Sequence, residues 1–185
     1  LAEVASQLIP LKKPDLLILP ARGGLGEEME IQANTISAKI AGKLGASYRL
    51  LHIPDAISEK IAEELRDNQQ ISQVISLIRE SEVIFLSVSN IKEIIRRGQV
   101  EEKEAKLLKE REAVGEALGY FFNSSGEIVY SKSSIGINIE DLEKNKKVVL
   151  IAGGKGKSEA IEAVAKKGFA DILITDEGAA EKILN

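Results

Sequence analysis

"KVVLIAGGKGKSEAIEAVAKK" (147–167) joins a five-residue apolar run to two glycines and then to a segment with Ala160, Ile161 and Val164 at helical spacing. A short apolar run, a glycine turn and an amphipathic helix in that order are the elements of a strand–turn–helix unit, with the strand buried on both faces. Working downstream, "DILIT" (171–175) repeats the pattern and a last helix is expected from Asp176, where Asp176 and Glu177 suit a helix N-terminus. Upstream, strands are expected at "LLIL" (16–19), "YRLLHI" (48–53) and "VIFLSV" (83–88), and helices over 28–44, 57–67, 70–80, 90–98 and 101–113. This alternation predicts an α/β fold, a Rossmann-like, doubly wound and mostly parallel sheet. One stretch departs from it: in "GYFFNSSGEIVY" (119–130) two aromatic, β-favouring runs flank Ser-Ser-Gly, which predicts a small antiparallel hairpin excursion.

Composition narrows the chemistry. At 185 residues the chain suits a single domain, 1–185, and its opening, "LAEVASQLIPL" with no cap residue ahead of the helix, reads as cut from something longer. The absence of cysteine excludes disulfides, thiol nucleophiles and thiolate metal sites. His52 is the single histidine, so no imidazole cluster can form a zinc site and serine–histidine catalysis lacks support; no metal or cofactor is expected. With net charge −4 and lysines interspersed among acids, the chain has no continuous basic face for a nucleic-acid backbone. No apolar run approaches the roughly 20 residues a spanning helix needs, and a cytoplasmic location is expected.

Ligands of doubly wound sheets bind at the carboxyl ends of the strands, and three such ends carry unusual residues. Arg22-Gly23-Gly24-Leu25-Gly26, with Gln32 and Asn34 behind it, couples a forked cationic donor to backbone that can approach closely, a combination suited to an anion; the alternative is a glycine turn with a solvated arginine. In "AGGKGKSEA" (152–160) a helix begins beside Lys155 and Lys157, again suited to an anion. Gly156-Lys157-Ser158 matches the tail of a nucleotide-binding P-loop, but the glycine required five residues earlier is Ile151, which excludes that motif. Arg96-Arg97-Gly98 ends a helix, where the dipole alone favours cations. Glu116 could accept hydroxyl hydrogen bonds from a sugar, or be a surface acid beside a turn.

"LPARGGLGE", "QANT", "YRLL", "EALGYFFN", "GEIVY", "AGGKGKSEAIEA" and "LITDEGAA" together resemble, in order and over essentially the whole chain, the effector-binding domain of the SorC-type sugar-sensing transcriptional regulators, nearest to those controlling glycolytic genes. The resemblance implies a sugar-phosphate-isomerase-like domain that binds a phosphorylated sugar and controls an N-terminal helix-turn-helix DNA-binding domain, which is absent from this chain. It places Arg22, Gln32, Arg97, Glu116 and Lys157 at ligand-contacting positions: Arg22, Arg97 and Lys157 toward phosphates, Gln32 and Glu116 toward sugar hydroxyls. Gly23 and Gly24 accompany Arg22, and Lys155 competes with Lys157 for the phosphate role. The family's Gly-Gly-Ser/Thr-Thr loop, expected immediately upstream of "LAEVASQL", is not in the chain.

Fructose 1,6-bisphosphate is the first expected effector because two phosphates match two separated cationic sites. A homo-oligomer, dimer or tetramer, is expected, with DNA contacted only through the absent domain. The alternative on the same fold is a sugar-phosphate isomerase or amino-sugar-phosphate deaminase, but Glu116 is a lone general-base candidate with no histidine partner in reach of its sequence, so a regulator is expected rather than an enzyme. An empty oligomeric scaffold ranks last, since clustered cations without an anion repel one another.

Overall fold

The computed structural model describes residues 2–23, 32–54, 57–142 and 147–185. It has two compact units, Leu1–Glu82 with Ser133–Lys144, and Val83–Lys132 with Asn145–Asn185. Among the described residues the strands form three sheets, two parallel and one antiparallel.

In the first unit, α1 (Ala2–Ser6) packs on α2 (Ala33–Leu44), and β1 (Leu17–Ile18) pairs in parallel with β2 (Ser47–Tyr48). The part of the expected 28–44 helix over 28–31 lies outside the described residues; the rest is α2, closed by Gly45 in the left-handed region at φ 58°. The strand expected over 48–53 is shorter, because the main chain of Leu51 bonds to the buried side chain of Asn34 rather than to a neighbouring strand. Helices α3 (Glu59–Arg66) and α4 (Gln69–Arg79) begin at Ser58 and Asn68, whose side-chain oxygens accept from the first free amides, and α4 buries Ile75 and Ile78. The 133–142 segment returns to this unit: Ile137 donates to Ala21 O at 2.8 Å, Gly23 donates to Ile135 O at 2.9 Å, and α7 (Ile139–Leu142) follows.

In the second unit, β3 (Val83–Leu86), β8 (Lys147–Ile151) and β9 (Ile172–Ile174) form a parallel sheet in the order β3-β8-β9. One face, with Ile84, Leu86, Val148 and Leu150, is buried; on the other, Phe85 is 50% exposed. Helix α8 (Ser158–Lys166), between β8 and β9, buries Ala160, Ile161, Ala163 and Val164. Helix α9 (Glu177–Leu184) ends the chain, with Asp176 as its N-cap. The parallel strands and their helices bear out the α/β reading.

The antiparallel excursion is larger than a hairpin. β4 (Ser89–Asn90), β5 (Ala113–Ala117), β6 (Tyr120–Asn123) and β7 (Ile128–Ser131) form a sheet in that order, with α5 (Ile91–Arg96) and α6 (Glu102–Glu110) lying in sequence between β4 and β5. The helix expected to reach 113 stops at Glu110, and the chain reverses at Glu112, which has φ 53°, to enter β5. Leu118 and Gly119, at φ 54° and 81°, form the two-residue turn from β5 to β6, with the paired positive φ values of the hairpin turn that follows natural strand twist. Ile91 and Ile94 of α5, Leu108 of α6 and Phe121 of β6 form a shared core. Helix α8 packs on β5 at Gly115, where an added Cβ would lie 2.9 Å from the Ala160 Cβ.

Candidate functional site

Four of the sequence-predicted ligand residues belong to the first unit and four to the second. In the first, Arg22 forms an isolated antiparallel bridge with Gly136 and is half-buried. Gly23 is a packing glycine: its amide bonds to Ile135 O, and a Cβ there would stand 2.7 Å from Ile53 O. Its N–H is therefore committed within the fold. Gly24 lies outside the described residues. Gln32 precedes α2 in extended conformation, its carbonyl accepting from Ile36 N at 2.9 Å while its side chain makes no cap bond. Two residues on, Asn34 is buried and holds the main chain of Leu51 through both its C=O and its N–H, Nδ2 donating to Leu51 O and Oδ1 accepting from Leu51 N, each at 3.0 Å. In "QANT", the asparagine thus ties the start of α2 to the 49–53 segment, two residues after the glutamine.

In the second unit, the carboxyl end of β3 leads through Val88 into β4, where Ser89 is paired with Glu116 and Asn90 with Gly115. The loop after β8 reaches the same place. Lys155–Lys157 forms a 3-10 turn before α8, and Lys157 Nζ donates to Val88 O at 3.1 Å. Lys157 and Glu116 are thereby attached to adjacent residues, Val88 and Ser89. The ammonium has three protons and gives one to Val88, leaving donors for an anion. Lys155 is exposed and its Cβ lies near Gly178 of α9. Glu116 is half-buried; its Oε1 accepts from Gly119 N at 2.7 Å, bracing the β5–β6 turn.

Arg97 lies at the far end of α5 from β4, with Nη2 donating to Glu93 Oε1 at 3.0 Å; Arg96 Nη2 approaches the same oxygen at 3.6 Å. The Arg97 side chain is 48% exposed. A partner that competes with Glu93 for this guanidinium must be an anion at least as well placed.

Two residues that shape the 153–157 turn were not singled out for that purpose from sequence. Asp176 caps α9, Oδ1 accepting from Ala179 N at 2.8 Å, and its Oδ2 also accepts a short bond from Gly154 N. The acid at the helix start was legible; its reach across 22 residues to the glycine loop was not. Asn90 caps α5, Oδ1 accepting from Lys92 N at 2.8 Å, and its Nδ2 donates to Gly156 O at 2.8 Å. An asparagine just ahead of the apolar "IKEII" is a helix-start signal, and that much could have been found. Ser158 is buried, its Oγ donating to Lys155 O at 3.0 Å. It is held inside the turn instead of facing a nucleotide's metal, in keeping with the exclusion of a P-loop.

Among the described residues no group of three or more His, Asp or Glu is placed to hold a metal ion, and no helix is long and apolar enough to cross a membrane. What the second unit offers is a lysine with spare donors and a carboxylate braced at a hairpin turn, both at the carboxyl end of a parallel strand. Such a set can bind a polar anionic molecule by ion pairing and hydrogen bonding.

The family described as "Putative sugar-binding domain" matches residues 1–185. The chain is 40% identical over 185 residues to the central glycolytic genes regulator of Priestia megaterium (strain DSM 319 / IMG 1521), covering 100% of this chain and 54% of that protein. To the protein of the same name in Bacillus subtilis (strain 168) it is 37% identical over 182 residues, covering 98% and 54%. It therefore spans about half the length of these relatives. The crystal structure of a SorC family transcriptional regulator from Enterococcus faecalis superposes with a TM-score of 0.88 at 38% identity, covering 100% of this chain and 76% of that one.

Proposed function

This chain belongs to the sugar-binding domain family of the SorC-type transcriptional regulators, and on that premise we propose that it is the effector-binding part of a regulator of glycolytic genes, sensing a phosphorylated sugar. Fructose 1,6-bisphosphate is the first candidate. In the second unit, Lys157 and Arg97 receive phosphate and Glu116 accepts a sugar hydroxyl. In the first, Arg22 offers its guanidinium to phosphate and Gln32 its amide to a hydroxyl, with Gly23 beside Arg22 packed closely against Ile53 O. Gly24 and Lys155 keep secondary roles in this reading. DNA is contacted by a helix-turn-helix domain elsewhere in the protein, and subunit contacts of a homo-oligomer carry the signal. Effector binding alters operator affinity to the extent that the effector binds the DNA-free and DNA-bound states unequally.

The single observation that carries this reading is the attachment of Lys157 and Glu116 to the adjacent residues Val88 and Ser89. A cation with unused donors and a carboxylate borne by elements tied to neighbouring residues of one segment suit a ligand that has both a phosphate and hydroxyls. The matched relatives and the solved structure named above are transcriptional regulators, not enzymes.

The test is thermal unfolding against fructose 1,6-bisphosphate, glucose 6-phosphate, fructose 6-phosphate and dihydroxyacetone phosphate. A ligand at 100 times its Kd adds about 2.7 kcal/mol, a readable rise in Tm. Selective stabilisation by fructose 1,6-bisphosphate is the expected result. Equal response to all four would leave a sugar-phosphate domain with a different effector, and no response to any would overturn the proposal.

A further inference from the structure

Three elements of the second unit carry its main candidate ligand residues: Arg97 is the C-cap of α5, β5 contains Glu116, and the 155–157 turn contains Lys157. All three meet at Asn90. Its backbone position in β4 is paired with Gly115, the residue before Glu116. Its Oδ1 caps α5 through Lys92 N at 2.8 Å, and its Nδ2 holds the turn through Gly156 O at 2.8 Å, 66 residues away. The reciprocal tie is Lys157 Nζ to Val88 O, so the turn and the β3–β4 connection are laced by a bond in each direction.

We infer that Asn90 is a positioning residue for effector binding: its side-chain amide sets the 155–157 turn so that Lys157 presents its remaining protons beside Glu116. This rests on the phosphorylated-sugar reading above. The chemistry requires an amide at this position. The turn presents a carbonyl, Gly156 O, which needs a donor, while α5 presents an amide, Lys92 N, which needs an acceptor. A carboxamide supplies one of each from a single planar group; an aspartate or serine can cap the helix but cannot reproduce both bonds in this geometry. The other ties on the turn, from Gly154 N to the Asp176 carboxylate and from Ser158 Oγ to Lys155 O, hold its two flanks and leave the Gly156 carbonyl to Asn90.

The experiment is calorimetric titration of the full chain with the same four sugar phosphates, for the wild type, Asn90→Ser, Asn90→Asp, Lys157→Ala and the double variant Asn90→Ser/Lys157→Ala. Asn90→Ser keeps a capping oxygen and loses the donor without adding charge, so binding of the effector is expected to weaken about tenfold, the scale of one well-placed hydrogen bond. Asn90→Asp, which keeps the acceptor but adds charge, weakens binding at least as much and serves if the serine variant does not fold. The decisive readout is coupling: the double variant binds no more weakly than Lys157→Ala alone, because Asn90 acts through that lysine. Unchanged affinity in Asn90→Ser, or losses that add in the double variant as a general loss of stability would produce, overturns the inference and leaves the sugar-phosphate reading standing. Wild-type chain that binds none of the four sugars overturns both.

Discussion

Asn34 and Leu51 exchange two hydrogen bonds of 3.0 Å each, so that a helix side chain takes the place of a neighbouring strand for one residue of the 49–53 segment. Both residues are buried, and the N–H of Leu51 has no water to turn to if the carboxamide is lost. Leu51 O keeps the bond it accepts from Ile53 N at 2.9 Å, so Asn34→Ala is expected to cost about 1–3 kcal/mol, chiefly from the buried Leu51 N–H left unsatisfied. Asn34→Asp loses only the donor and adds a buried charge, and is expected to fall in the same range. Urea unfolding monitored by circular dichroism measures this, and a loss below about 0.5 kcal/mol would show that water or another group replaces the amide.

Gly115 is required by packing. A Cβ there would sit 2.9 Å from Ala160 Cβ and 3.1 Å from Ala160 O, and the neighbour includes the backbone of helix α8, which cannot swing aside as a long side chain could. Gly115→Ala is expected to destabilise by about 1–3 kcal/mol through overpacking. Because Glu116 is the next residue, the same shift moves its carboxylate, so sugar-phosphate affinity falls with stability. Gly42, at which an added Cβ would meet nothing within 4 Å, is the matched control, and Gly42→Ala within helix α2 is expected to raise stability by up to about 1 kcal/mol.

The alternation of strand and helix was legible because short apolar runs ahead of a turn and a helix mark parallel strands, as "KVVLI", "VIFL" and "ILI" do, although burial on both faces holds for Val148–Leu150 of β8 and not for Phe85 of β3 or for β9, which is exposed throughout. Strand β5, "AVGEA", is different: a glycine and a glutamate interrupt it, its neighbours on the upstream side are helix formers, and its place is fixed by Ala160 and by the turn at Leu118-Gly119. That strand and the shortened β2 depend on contacts between residues far apart in sequence, which no local pattern contains. The choice between Lys155 and Lys157 has the same character. Two lysines two residues apart are equivalent on paper, and only the fold turns Lys157 toward Val88 while Lys155 faces outward beside α9.

The Tyr130 hydroxyl titrates above its ordinary value of 10.0, first because of burial and then because the Glu104 carboxylate disfavours a second negative charge nearby, with Arg111 opposing. Folded Tyr130 therefore stays protonated at pH values where the unfolded chain has begun to ionise. The stabilisation is complete below the unfolded-state pKa and is lost as pH rises through the folded-state pKa. Tyr130→Phe keeps the ring against Phe121, whose centroid is 5.4 Å away, and removes the titrating group. Stability measured between about pH 10 and pH 12 is expected to fall less steeply in the variant than in the wild type. Parallel slopes would mean that the hydroxyl is as free to ionise when folded as when unfolded.

Lys157 and Lys155 make the sharpest comparison. Removing Lys157 deletes a charge-assisted donor held at the carboxyl end of β3, and Lys157→Ala is expected to weaken sugar-phosphate binding by about 10- to 100-fold, the scale of one ionic hydrogen bond to phosphate. Lys155 is exposed, so its contribution is screened, and Lys155→Ala is expected to change affinity by no more than about threefold. Lys157→Arg tests geometry as well as charge: a guanidinium is longer and planar and cannot reproduce a compact ammonium on Val88 O while offering the same protons to a phosphate, so it is expected to restore only part of the affinity. Titration calorimetry at two salt concentrations separates the contributions. A loss at Lys157 that persists in high salt belongs to a direct, partly shielded contact, whereas equal losses at both lysines that vanish with salt would reduce the 155–157 turn to a diffuse positive surface and remove Lys157 from the site.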